Sequence, residues 1–193
     1  MRTADISRKT KETSVEAALN IDGSGIYKLN TGIGFLDHML ELFAYNGCFD
    51  LELRCGGDLK VDNHHSAEDC GIVLGSAFDQ ALGGRGGITR YGQCVMPMDE
   101  ALVMTAIDIS GRPWLEFNIS TPERGALDIE AIEEFLHGFV RSARLALHIN
   151  MLSGRNAHHI LEACFKGFGR ALAAAVMTDA RRAGEVPSSK GIL

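Results

Sequence analysis

The chain is short of the residues that stop or staple a fold. It has 4 prolines, 1 tryptophan and an odd set of 5 cysteines without CxxC spacing. Cys48, Cys55, Cys70, Cys94 and Cys164 sit mostly in apolar stretches, so they read as reduced core residues and exclude a disulfide frame or a zinc cage. No run of about 18 apolar residues occurs, and no apolar stretch follows the basic residues of the N-terminus. The expected location is therefore the cytoplasm. A net charge of -6 argues against general nucleic-acid binding, which needs a basic surface, and leaves room only for a local phosphate site. GxGxxG, GxxxxGK[ST], HExxH and GxSxG are absent, so no nucleotide site is expected.

What the chain does have is one signature spelled twice. His64-His65-Ser66-Ala67-Glu68 and His158-His159-Ile160-Leu161-Glu162 both read HHxxE, and each opens a small-residue stretch of helical character. At about 100° per residue, the first histidine and the glutamate stand one above the other while the second histidine points elsewhere. One turn thus offers ligands in two directions. A lone pair of histidines at an exposed helix start usually carries no metal; a second copy with the same glutamate offset reverses that expectation.

The elements around the signatures repeat as well. Residues 13–29 alternate around Asp22-Gly23-Ser24-Gly25 and predict a two-stranded hairpin. A helix carrying His38 is predicted over 32–47, a strand over 49–55, a turn and short polar strand next, then the first HHxxE helix to about Leu82. Residues 93–119 predict two or three strands, broken at Pro97, at Ser110-Gly111 and after Ile119, with a loop at 121–125. A helix over 128–142, a strand over 144–150, a turn at 153–155 and the second HHxxE helix to about Arg182 restore the earlier order, 94 positions on. The expected fold class is α+β, a single domain over 1–193. Its two similar helix-strand-helix halves, about 1–92 and 93–193, share one mixed sheet packed against helices in one core.

Two further histidines, His38 and His148, join the signatures. With His64, His65, Glu68, His158, His159 and Glu162 they make six imidazoles and two carboxylates, enough for two metals of the Mn, Fe, Co or Zn kind with open positions left. Asp37 and Asp69 are candidates to orient imidazoles; His137 is assigned to structure. A basic set, Arg90, Arg112, Lys166 and Ser188-Ser189-Lys190, has the forks, amines and hydroxyls that hold a phosphate monoester.

The segments TGIGFLDHM, HHSAEDCGI, GITRYG, PMDEAL, DISGRPWL, LHI, GRNAHHILEACFKGFGRAL and PSSKG resemble the imidazoleglycerol-phosphate dehydratases of histidine biosynthesis, from Glu12 onward. The resemblance implies a monofunctional carbon-oxygen lyase, since 193 residues leave no room for the phosphatase domain fused in some relatives. It implies two Mn²⁺ per active site on the eight positions above and, the reaction being an elimination, no organic cofactor. It also implies a homo-oligomer, a twenty-four-subunit shell built from trimers with active sites between subunits, and neither nucleic-acid nor membrane partners. Glu12, Arg90, Arg112, Lys166, Ser188, Ser189 and Lys190 match substrate-holding positions. In the implied reaction a metal-stabilised imidazolate expels the neighbouring hydroxyl, and a base, with Glu12 first, Glu68 or Glu162 next and a metal-bound hydroxide as alternative, then moves the carbon proton.

Overall fold

The computed structural model describes residues 1–120, 128–182 and 184–193; the loop expected at 121–125 lies outside them. The chain runs through β1 (Thr3–Lys9), β2 (Thr13–Asn20), β3 (Tyr27–Asn30), α1 (Gly34–Gly47), β4 (Asp50–Gly57) and α2 (His64–Leu82). It then repeats the order in β5 (Tyr91–Met98), β6 (Ala101–Asp108), β7 (Trp114–Asn118), α3 (Ile129–Ala143), β8 (Ala146–Ser153) and α4 (Ala157–Val176). Pairing repeats too. The first sheet has the order β1-β2-β4-β3 and the second β5-β6-β8-β7, each with two antiparallel pairs and one parallel pair, β3 with β4 and β7 with β8.

The fold class is α+β with duplicated halves around one core, as expected. The halves keep separate sheets, however, because the four helices lie between them. Val15, Ala17 and Leu19 of β2 and Val103 and Ile107 of β6 turn inward, and an aromatic cluster closes the middle. Phe43 of α1 stands 4.7 Å from Phe168 of α4, and Phe139 of α3 stands 5.5 Å from Phe78 of α2 and 5.1 Å from Phe168.

The helices exchange halves. α1 crosses α4, and α3 crosses α2, with backbones nearly touching at glycine. A Cβ on Gly169 would stand 2.3 Å from the Phe43 carbonyl oxygen and 3.0 Å from the Gly47 nitrogen. On Gly75 it would stand 2.4 Å from the Phe139 oxygen and 3.0 Å from the Ala143 nitrogen. Neither half can therefore bury its helices alone.

Four local expectations need correction. The predicted hairpin does not form: β2 pairs with β1, whose polar composition (TADISRK) hides a strand with only Ala4 and Ile6 inward, and β3 pairs parallel to β4 so that α1 can cross over between them. Pro97 does not break β5, which is an edge strand and loses no ladder bond there; the break comes at Asp99, with φ 47°. No polar strand precedes α2. Finally, α4 stops at Val176, because the amides of Arg90 and Thr89 take the carbonyls of Ala175 and Met177 and the chain beyond pairs with Ile88.

Gly75→Ala and Gly169→Ala should each lower stability by about 1–3 kcal/mol through forced separation of the helix pair, read as a lower urea midpoint at unchanged slope. An unchanged midpoint for both would contradict the crossing geometry.

Candidate metal centre

Both HHxxE turns begin helices that start where a strand has just ended. For α4 the chain leaves β8, turns at Gly154, and the Asn156 side chain caps the helix by accepting from His158 N at 2.9 Å and His159 N at 3.3 Å. For α2, Asp62 accepts from His64 N at 2.9 Å, and Asn63 donates to Asp128, the N-cap of α3, at 2.8 Å. The helix starts converge. Ile33, Phe35 and Leu36 before and in α1, Ala67 in α2, and Asp128 and Ala131 at α3 line one small pocket, and the Phe35 ring meets that of His158 at 5.6 Å.

At this end the α1–α4 crossing assembles a site from both halves. His38 Nε2 and His158 Nε2 lie 3.0 and 3.1 Å from Glu162 Oε1, and one ligand atom of each residue falls within 4.8 Å of the others. Among the described residues this is the one such group of three or more. Glu162 is only 9% exposed. Burial alone pushes its carboxyl up, but the Lys166 ammonium, 2.7 Å from Oε2, together with His38 and His158, outweighs that and holds it at about 2. A charged, converging carboxylate between two imidazole nitrogens fits a first-row divalent ion.

The second histidines point away, as helical geometry requires. His159 Nδ1 donates to Glu100 Oε2 at 2.8 Å, and His65 Nδ1 donates to Asp58 Oδ2 at 3.1 Å, so each keeps Nε2 for a ligand. Glu100 also accepts from Arg155 N and Asn156 N, and with His159 these hold its carboxyl at about 2; in return Glu100 raises His159 and Asp58 raises His65. Of the two orienting carboxylates, Glu100 stands out in the sequence within Asp99-Glu100 but spacing alone does not place it, and Asp58 does not stand out, because which histidine each faces depends on the fold. Asp37 and Asp69 serve elsewhere: Asp37 accepts from Thr31 ahead of α1, and Asp69 pairs with Arg8 and Thr13.

The remaining site residues spread over the molecule. Glu12, exposed at the β1–β2 turn, is near enough to His65 to add to its raised pKa. His64 is exposed and Glu68 pairs with Arg141 at 2.6 Å. His148 faces solvent on β8, between the inward-facing Leu147 and Ile149, so it lies on the sheet side away from the helices. Lys166 stands beside Glu162. Arg90 forks onto Asp108 at 2.7 and 3.2 Å and holds Pro187 O at 3.0 Å, which brings the Ser188-Ser189-Lys190 tail to it; Arg112 is exposed in the turn where Gly111 packs against the C-terminal Leu193. This basic group sits by Ala175, at the far end of α4 from His158, roughly 25 Å away at ~1.5 Å per residue.

The family model for imidazoleglycerol-phosphate dehydratase (IGPD) matches residues 31–172, a span that includes every residue of the converging group. The chain belongs to the imidazoleglycerol-phosphate dehydratase family. It is thus a hydro-lyase of histidine biosynthesis. Imidazoleglycerol-phosphate dehydratases from Nitrobacter hamburgensis and Aminomonas aminovorus are 54% and 52% identical over 195 residues, covering all of this chain and 99% and 100% of theirs. The crystal structure of the Pyrococcus furiosus IGPD superposes with a TM-score of 0.86 at 37% identity, covering 97% of this chain and 100% of that one. The Staphylococcus aureus enzyme gives 0.81 at 37% identity, covering 92% and 99%.

In metal-free protein, Glu100→Gln should lower the pKa of His159 by removing the carboxylate that raises it. Diethyl pyrocarbonate labelling of the His159 peptide against pH, read by mass spectrometry, should show faster labelling of the variant at neutral pH. Equal profiles would contradict the contact.

Proposed function

We propose that this chain converts imidazoleglycerol phosphate to imidazole acetol phosphate and water in a metal-dependent elimination, with two Mn²⁺ per active site. The observation that supports it most is the meeting of His38, His158 and Glu162 at the crossing of α1 and α4. When bound there, a divalent ion supplies Lewis-acid charge to a ring nitrogen of the substrate imidazole.

The chain's own residues do the rest. Lys166 keeps Glu162 ionised and holds its Oε2, leaving Oε1 turned to the imidazoles. Glu100 and Asp58 fix the tautomers of His159 and His65, so that Nε2 is the lone-pair nitrogen in each. The hydroxyl on the carbon beside the ring departs, the next carbon gives up its proton to a carboxylate, and the enol tautomerises to the ketone. Nothing is oxidised or reduced. Glu12, exposed and near His65, is our choice for the proton transfers.

Phosphate would be held by Arg112, Ser188, Ser189 and Lys190, with Arg90 positioning that tail through Pro187. A ring with a three-carbon phosphate chain, at about 1.5 Å per bond, is far too short to cross from this group to His158 within one subunit. The separation supports active sites completed between subunits of a cytoplasmic homo-oligomer, the twenty-four-subunit shell that the resemblance implies. Among the described residues, no helix is long and apolar enough to cross a membrane.

Excess chelator should abolish dehydration, and Mn²⁺ should restore it. Undiminished turnover in chelator, or release of inorganic phosphate from the same substrate, would overturn the proposal. Glu12→Gln should depress turnover on the order of 10²-fold or more with metal content and assembly size unchanged.

A further inference from the structure

The turn that carries Glu12 is made without the residues a tight turn favours. β1 and β2 stay paired as far as Lys9 and Ser14, and the Thr10 amide donates to the Thr13 carbonyl at 2.9 Å, which leaves Lys11 and Glu12 as a two-residue hairpin loop. Such loops favour glycine, asparagine or aspartate at positive φ, because those conformations follow the twist of the strands. Neither Lys11 nor Glu12 has a positive φ. A hydroxyl holds the turn instead: Thr10 Oγ1 accepts from the amides of Glu12 at 3.1 Å and Thr13 at 3.0 Å.

That hydroxyl is one link in a chain that ends on α2. The Asp69 carboxylate, paired with Arg8 of β1 at 2.6 Å, is an acceptor only, so Thr13 donates its hydroxyl proton to Asp69 Oδ2. Thr13 Oγ1 is then left to accept from the Thr10 hydroxyl at 3.2 Å, and Thr10 Oγ1 in turn accepts from Glu12 N. The link between turn and helix is closed to water, since Thr13 is 4% and Asp69 7% exposed. Asp69 follows Glu68 directly and lies one helical turn beyond His65 on the same side of α2. Binding Thr13 there sets Glu12 near His65, close enough for its charge to bear on that imidazole.

We propose that Asp69, acting through Thr13 and Thr10, is a positioning residue that fixes the proton-transferring Glu12 against the first HHxxE turn. This rests on the reading of Glu12 as the base given above. The Glu12 side chain is exposed and free to reach a substrate, so its place is set through its backbone. One carboxylate gathers β1 through Arg8 and β2 through Thr13 onto α2, and with them the turn between the strands. A base displaced by even 1 Å loses much of its effect. Asp69 therefore serves the reaction without touching an imidazole, by keeping the base in register with the helix that carries His65.

The test is steady-state dehydration by the assembled, Mn²⁺-loaded protein, with Thr13 and Asp69 changed in the presence and absence of Glu12. Thr13→Val removes the hydroxyl and leaves the Arg8–Asp69 pair in place, whereas Asp69→Asn keeps the shape and gives up the charge-assisted bond. Each should lower kcat on the order of 10-fold to 10²-fold with KM little changed, at wild-type manganese content and assembly size, and Thr13→Ser should restore kcat. In a Glu12→Gln background neither should lower kcat further, since a residue that acts only through Glu12 has nothing left to position. Should Asp69→Asn not assemble, Thr13→Val decides alone. Wild-type kcat in either assembled variant, an equal loss with and without Glu12, or a loss in Thr13→Val that follows lower manganese content or a smaller assembly would overturn the inference. Glu12→Gln at wild-type turnover would instead overturn the choice of Glu12 as base, and the inference with it.

Discussion

Backbone contact at two glycines holds the molecule together as a functional unit. At Gly75 and Gly169 the helices approach until a single methyl group would collide with carbonyl oxygen and amide nitrogen of the facing helix. That closeness brings a histidine of the first half against a glutamate and a histidine of the second, so the His38–His158–Glu162 group cannot exist in either half separately. The two halves repeat one order of elements, and exchange of helices packs them around one aromatic core.

The energetics of the site follow from the same geometry. Burying Glu162 opposes its ionisation, and a carboxylate at 9% exposure needs compensation. Lys166 and the two imidazoles supply it and leave the group at about 2, hence charged throughout the physiological range. Glu100 does similar service one position along the helix, binding the turn that precedes α4 through Arg155 and Asn156 while it orients His159. The turn, the helix cap and the imidazole are thus fixed by one carboxylate.

Much of this was legible in the sequence, and the failures share a cause. Strong periodicity placed α1, α2, α3 and the start of α4 within a residue or two, and the doubled HHxxE marked the turns that carry the histidines. Pairing was misread where a partner lay outside the local pattern: β3 joins β4 across a helix, and β1 looked polar because only one of its faces meets the core. The orienting carboxylates Asp58 and Glu100 could not be assigned to their histidines for the same reason, since their partners are 7 and 59 positions away. His148 was grouped with the ligand set by residue type, and alternation along β8 places it on the outer face of the second sheet.

The central claim is that the crossing of α1 and α4 makes a metal centre out of two halves. Crystals grown with Mn²⁺ and measured above and below the manganese absorption edge test it most directly. The account predicts an anomalous peak within bonding distance of His38, His158 and Glu162 together. Manganese bound only elsewhere, with these three side chains unmetallated, would contradict it.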